Sequence, residues 1–360
     1  MRRAFVIAAR RTAVVPRGGA FRDVSVDALG SAVARAVLAD AGVGAGEVDE
    51  VIVADAIGEG GNPARRIALL AGLPERVAGL SIDRQCAGGL DALLLARALV
   101  AAGADVVVAG GAESYSRQPE RKMPGAEAPY VQARFTPWPD RDPDMAQAAD
   151  ALARRLGISR KRMDDWAVAS HARAIAARMH LRGEIVPVAG VVDDAFARVL
   201  TPALAARAKV VTGGITAANA AVAADGAALC LVVSERVAAR AARSVEIVSG
   251  VTLGGDPAGP GTAPVAAIAL ALAGAGIGPA SLERSEVMEA YAAQAIACVE
   301  GAGLDPMRVN LAGGALARGH PVGASGAVLA VRLFHDLGRG HGLAAIAAAG
   351  GIGTALVLRG

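Results

Sequence analysis

A layered α/β fold is what this sequence predicts, on three observations. Short buried strands alternate with helical segments, one charged and mostly helical stretch interrupts them, and the second half repeats the first. The runs AFVIAA (4–9), VDEVIVADAI (48–57), AGLSID (78–83) and ADVVVAG (104–110) are apolar and short, as buried strands are. Helical patterns lie between them at 26–41, about 62–72, and Cys86 to Gly103. Strands alternating with helices imply a parallel sheet covered on both faces.

The interruption runs from 116 to 209. It opens on a Pro- and charge-rich loop, MPGAEAPYVQARFTPWPDRDPD, and continues as charged amphipathic helices through 145–182. From about residue 244 the α/β rhythm returns. CAGGLDALLLARALVAAGADVVVAGGAES (86–114) and GASGAVLAVRLFHDLGRGHGLAAIAAAGGIGT (323–354) each show a small-residue turn, an apolar helix, a glycine-bearing loop and a buried strand ending in Gly-Gly. An internal duplication of about 110 residues accounts for this, and equivalent loops of the two copies would then face each other. The expected units are 1–115 plus 210–240, the insertion 116–209, and 241–360.

Composition narrows the function. The 360 residues are 54% hydrophobic, mainly Ala, Val and Leu, with only 3% aromatics. Such a core is built from small, closely packed aliphatics. No uninterrupted apolar run reaches about 18 residues, so no membrane-crossing helix is expected. The basic opening MRRAFVIAARR is too short in its apolar part for a signal segment. Three widely spaced cysteines form neither a disulfide framework nor a zinc motif, which fits a reducing, cytoplasmic setting. The net charge is +3. Basic residues thicken at 117–122 and 154–162, either as solvated helix faces or as a landing surface for a phosphate-bearing ligand. No aromatics interleave them, which argues against nucleic acid. No P-loop is present, and GAGIGPA (274–280) follows a helix where a dinucleotide fingerprint follows a strand.

Two residues carry the expected chemistry. Cys86, in SIDRQCAGGLDAL, sits where a strand turns into a helix, so the helix dipole and free N–H groups favour thiolate there. The small residues after it leave room for an acyl group. Cys230, in mid-strand, and Cys298, on a helix, read as core. His320, in ARGHPVGASGA, precedes a proline and therefore belongs to a loop. The duplication places that loop opposite Cys86, where an imidazole can take the thiol proton or polarise a carbonyl. His171, His180, His335 and His341 read as surface or packing residues beside helices.

Taken together these segments resemble the thiolase family over essentially the whole chain. DRQCAGGLDA is similar to the family's Asn-Arg-x-Cys-Gly-Ser-Gly nucleophile segment, GGAESYSRQP (110–119) to its Gly-Gly-x-Glu-x-Met-Ser stretch, and VNLAGGALARGHPVGASGA (309–327) to its histidine block. GISRKRMDDWAVASHARA (157–174), GEIVPV (183–188) and ITAANAAVAADGAAL (215–229) align with further signatures. The resemblance implies a five-layered αβαβα fold of two duplicated halves, with the insertion binding coenzyme A. It implies acyl transfer between thioesters, Cys86 accepting the acyl group and His320 serving as base and oxyanion-hole donor. The backbone N–H of Cys86 and of Ala349 would form a second oxyanion hole. Met145, Ala217, Ala221, Ala290 and Tyr291 would contact substrate. Coenzyme A thioester enters as substrate, with no cofactor and no metal, and the chain would form a homodimer or homotetramer. The insertion is short between about 189 and 212, so an acyl carrier protein is an alternative donor of the acyl group.

The chain also departs from the family's pattern. The second cysteine of Cys-x-Gly-Gly-Gly-Met-Gly, the acid–base group at the α-carbon, is Ala347. The Asn of Asn-Glu-Ala-Phe, which holds an oxyanion-hole water, is Met288 in MEAYAAQ. The Ser expected after ITAANA is Ala221, and the His of His-Met-Gly is Asp144. An acid–base group contributes about 10²–10⁴-fold and an oxyanion donor about 10²–10³-fold, so ordinary carbon–carbon cleavage should be impaired unless another group serves. His320, Glu289 and Asp144 are the candidate substitutes. The expectation is an acyltransferase with an altered second half-reaction; a scaffold subunit and an acyl-CoA thioesterase are the alternatives.

Overall fold

Strand β1 (Ala4–Thr12) is followed by helix α1 (Val26–Ala41), whose span equals the sequence expectation because both ends are marked. The Ser25 hydroxyl accepts from the Ala28 N–H, and Gly42 closes the other end at φ 61°. The structure, a computed structural model, describes residues 2–130 and 132–360. The N-terminal half continues with β2 (Glu50–Ala54), α2 (Pro63–Leu70), β3 (Leu80–Ile82), α3 (Gly88–Ala102) and β4 (Val106–Ser114). Helices α4 (Met145–Arg155) and α5 (Arg160–Ala176) lie in the insertion, and β5 (Ala224–Ser234) follows it. The C-terminal half contains β6 (Val245–Gly254), α6 (Ala263–Gly274), β7 (Leu282–Val287) and α7 (Ala292–Gly301). It ends with α8 (Val322–Asp336), β8 (His341–Ala348) and β9 (Ile352–Arg359).

The duplication is visible in the pairing. In the first half the strand order is β3-β2-β4-β5-β1, with β3, β2 and β4 parallel and β5 antiparallel to both neighbours. In the second half a bridge at Val309 lies parallel to β7, β7 is parallel to β8, and β9 runs antiparallel to β8 and β6. The sheet is therefore mixed rather than parallel throughout, because β5 and β9 each run against both of their neighbours. Pairing of β1 with β6 at Phe5↔Glu246 and Val6↔Val245 joins the two halves.

Five layers result. Helices α1 and α2 cover one outer face through Val33, Val37 and Ile67. Helices α6 and α7 cover the other through Ile268, Leu272 and Val299. Between the halves lie α3 and α8, whose Leu90, Leu93 and Val331 share one core with Ile346 of β8. These two central helices touch backbone to backbone. A Cβ on Gly89 would stand 2.7 Å from Ala327 N, and one on Gly326 would stand 2.5 Å from Leu90 N. Only glycine permits that approach. The segment Gln85–Ala102 is long and apolar enough by composition to cross a bilayer, but here it is this internal layer, interrupted by Asp91 and Arg97. The insertion has its own small core around Leu152, Met163 and Ala167, which continues onto Ile215 after it and onto α7 through Ile296. Much of its basic character is neutralised along its helices, by the pairs Arg154–Asp150, Arg160–Asp164 and Lys161–Asp165.

Candidate active site

Cys86 lies in a 3-10 turn, Gln85–Ala87, between the end of β3 and the start of α3. The turn is held from both sides. Asp83 accepts the Gln85 N–H at 2.8 Å, and Gln85 adopts the left-handed conformation at φ 49°, uncommon for a residue with a side chain. Behind it, Asp91 pairs with Arg84 at 3.2 Å and accepts from Thr252 and Thr354 at 2.5 and 3.0 Å, tying the first turn of α3 to β6 and β9.

His320 comes from the other half, on the loop before α8. Its N–H donates to Val222 O at 2.8 Å, and Gly319 before it sits at φ 112° where a Cβ would meet that of Ala224 at 2.8 Å. Nε2 of His320 stands 3.1 Å from Cys86 Sγ, and Nδ1 stands 2.6 Å from Ser325 Oγ. Ser325 donates its own proton to Pro321 O at 3.3 Å. Its lone pair is thus left for Nδ1–H, and the lone pair of Nε2 faces the thiol.

Burial reverses one sequence expectation. Cys86 is enclosed except where it opens on the cavity, and desolvation pushes its thiol up to about 12, against the backbone N–H groups of Cys86 and Ala349 that reach its sulfur. Burial lowers His320 to about 4. The resting pair is therefore a neutral thiol hydrogen-bonded to a neutral imidazole, not the thiolate that a helix N-terminus alone would favour.

A cavity of about 300 Å³ opens above this pair. Cys86, His320, Ala347, Ala348 and Ala349 line its floor; Met145, Ala221, Ala290 and Tyr291 line its walls, with Phe135 and Arg121. Two expected site residues lie elsewhere. The side chain of Met288 is buried in the central core beside Ser325, Pro321 and Val328, because its N–H continues the β7 pairing to Ala345 O at 2.9 Å. Ala217 is exposed on a turn outside the cavity, where its N–H donates to Lys209 O and Asn219 pins the loop through Thr216 N and Asp164.

The other two candidate substitute bases are engaged elsewhere, Glu289 through both carboxylate oxygens and Asp144 through Oδ1. Glu289 is saturated by donors from Trp166, Ser170, Asn310 and the Leu316 N–H, so it is a scaffold residue. Asp144 caps α4, accepting from the Ala146 and Gln147 N–H groups. Cys230 and Cys298 are buried core residues. His171 is buried in α5 against Phe196, His335 bonds Ala9 O at 2.8 Å from within α8, and His341 begins β8.

Sequence reasoning missed a carboxyl pair beside the site. Glu113, fully buried at the end of β4, accepts the N–H groups of Ala56, Ile57 and Gly323 and hydrogen-bonds Asp55. Burial and the Asp55 carboxyl hold Glu113 well above the usual carboxylate range, so the two share a proton. The pair clamps the loop after β2 to the start of α8, next to His320. A glutamate inside an otherwise apolar strand was the signal available for it.

A thiol in contact with a neutral base, with N–H groups aimed at its sulfur, is equipped to accept an acyl group and pass it on: this is an acyl-transferring site. Known proteins supply the family. The model of the thiolase N-terminal domain matches residues 4–236 and that of the thiolase C-terminal domain matches residues 241–360, and the chain belongs to the thiolase family. It is 38% identical to the acetyl-CoA acetyltransferase of Pseudomonas aeruginosa over 98% of both chains. Among solved structures, the acetyl-CoA acetyltransferase of Bacillus anthracis superposes with a TM-score of 0.92 at 31% identity, covering 100% of this chain and 99% of the other. Human mitochondrial 3-ketoacyl-CoA thiolase in complex with CoA gives 0.92 at 29%, covering 99% and 98%. The protein is an acyltransferase of acetyl-CoA acetyltransferase type.

Proposed function

We propose that Cys86 takes an acyl group from a coenzyme A thioester and that the second half-reaction, condensation or transfer to another nucleophile, runs without a thiol at position 347. The observation that carries this is the 3.1 Å contact between Cys86 Sγ and His320 Nε2 at the floor of the cavity. In the first half-reaction the sulfur bonds to the thioester carbonyl carbon as its proton passes to Nε2. The carbonyl oxygen gains negative charge and is met by the N–H groups of Cys86 and Ala349, donors of the kind that stabilise such an oxyanion. Collapse of the intermediate expels the coenzyme A sulfur, which takes the proton back from His320. A neutral resting pair suits this sequence, since charge develops only as the bond forms.

Coenzyme A is on this reading a substrate, and no metal or cofactor takes part. The acyl end meets an apolar wall in which Ala347 and Ala221 stand where the family resemblance places Cys and Ser. Intact-mass measurement after incubation with acetyl-CoA and longer acyl-CoAs tests the proposal. A mass increase equal to the acyl group, located on Cys86 and absent from Cys86→Ala, is expected. No adduct with any thioester would overturn it.

A further inference from the structure

Tyr291 stands at the start of α7, on the wall of the cavity that holds Cys86 and His320. Its backbone is fixed on both sides: Ala221 N–H donates to Ala290 O, and Ala292 N–H donates to Asn219 O, each at 2.9 Å. The backbone that carries the ring is therefore held in place, and the hydroxyl has no hydrogen-bond partner among the described residues. A largely buried phenol without a partner is a group waiting for a ligand. Where the family's Asn-Glu-Ala-Phe has a phenylalanine, this chain has Met-Glu-Ala-Tyr. It thus gains one hydroxyl in a site that carries alanine at 347 and has the Met288 side chain turned into the core.

We propose that the Tyr291 hydroxyl is the proton donor for the carbon–carbon step, in place of a thiol at position 347; this rests on the acyl-Cys86 chemistry proposed above. Burial, with Asp144 and Cys86 nearby, keeps the phenol protonated far beyond neutral pH, which suits a donor. With a 3-ketoacyl-CoA, Cys86 Sγ bonds to the C3 carbonyl carbon and its proton passes to His320 Nε2. The C2–C3 bond then breaks, its electron pair remaining on C2 as the enolate of acetyl-CoA. Tyr291 O–H protonates C2, and acetyl-CoA leaves. The thiol of an incoming coenzyme A attacks acyl-Cys86 and gives its proton to the tyrosinate, while the released Cys86 sulfur regains the proton held by His320. Every proton is returned.

Tyr291→Phe removes one oxygen and restores the residue that the family motif carries, so folding is preserved. Two readouts are needed: acylation of Cys86 by acetyl-CoA, followed by mass, and coenzyme A-dependent cleavage of acetoacetyl-CoA. The variant should lose cleavage by about 10²–10⁴-fold, and at least tenfold more than it loses acylation, since the phenol donates only in the carbon–carbon step. Tyr291→Phe/Ala347→Cys should recover at least tenfold of that loss. Cleavage within about threefold of the parent overturns the proposal, as does an equal fall in both readouts, which marks a structural role, or a parent that acylates but never cleaves. A parent with no Cys86 adduct overturns the acyl-enzyme reading as well; a normal adduct with unchanged cleavage in Tyr291→Phe overturns this inference alone.

Discussion

The two halves share one strand plan but leave their central strands differently. In the N-terminal half, β4 ends at Ser114 and β5 begins only at Ala224, the insertion lying between; in the C-terminal half, β8 reaches β9 across Ala349, Gly350 and Gly351. One copy thus supplies Met145, Ala221 and Phe135 to the cavity walls, and the other a short loop whose N–H reaches the nucleophile. The helix starts diverge as well. Cys86 lies two residues before the first residue of α3, and His320 two residues before the first of α8. The loops that lead into the two central helices have become the seats of nucleophile and base. The duplication built the scaffold, and the chemistry sits where the copies differ.

The largest effect should come from deleting the C-terminal contribution. His320→Ala leaves Cys86, its turn and the cavity in place, so acylation by acetyl-CoA should slow by about 10²–10⁴-fold in a rapid-quench mass assay. A loss under about tenfold would mean that the N-terminal turn activates its thiol unaided and that the pairing of copies is not essential.

The same contrast has a pH signature. Burial holds the Cys86 thiol up at about 12 and His320 down at about 4, so between pH 6 and 9 both stay neutral. Because the thiolate is the reactive form and its fraction grows about tenfold per pH unit below the pKa, alkylation of Cys86 by iodoacetamide should climb through this window without levelling. A plateau below pH 8 would establish a preformed thiolate–imidazolium pair.

The raised Cys86 thiol also marks where the sequence stops being readable. Helix α1 was legible because Ser25 and Gly42 mark it locally, and the approach of His320 to Cys86 followed from the repeat. The strand expected over 48–57 stops at Ala54 because Asp55 turns to meet Glu113 and the Gly58 N–H, a contact between residues far apart in the chain. The thiolate expectation failed for a related reason: a helix dipole is a local property, whereas desolvation depends on everything packed around the sulfur. Met288 directly follows β7, but which way its side chain turns is decided by the core between the halves.

The smallest expected effect concerns the first turns of the two central helices. Asp91 is the fourth residue of α3 and Ser325 the fourth of α8. Asp91 anchors its turn, through Thr252, Thr354 and Arg84, and touches no reacting group. Ser325 instead faces His320 Nδ1 and fixes which ring nitrogen keeps its lone pair toward Cys86. Ser325→Ala leaves Nδ1–H without this acceptor, so the tautomer bearing Nε2–H, which cannot accept the thiol proton, gains population. One neutral hydrogen bond contributes about 0.5–1.5 kcal/mol, so acylation should slow by about three- to tenfold with little change in thermal stability. Unchanged acylation would mean that the tautomer is set elsewhere, and that the C-terminal copy has assigned Ser325 the same anchoring task that Asp91 performs in the N-terminal one.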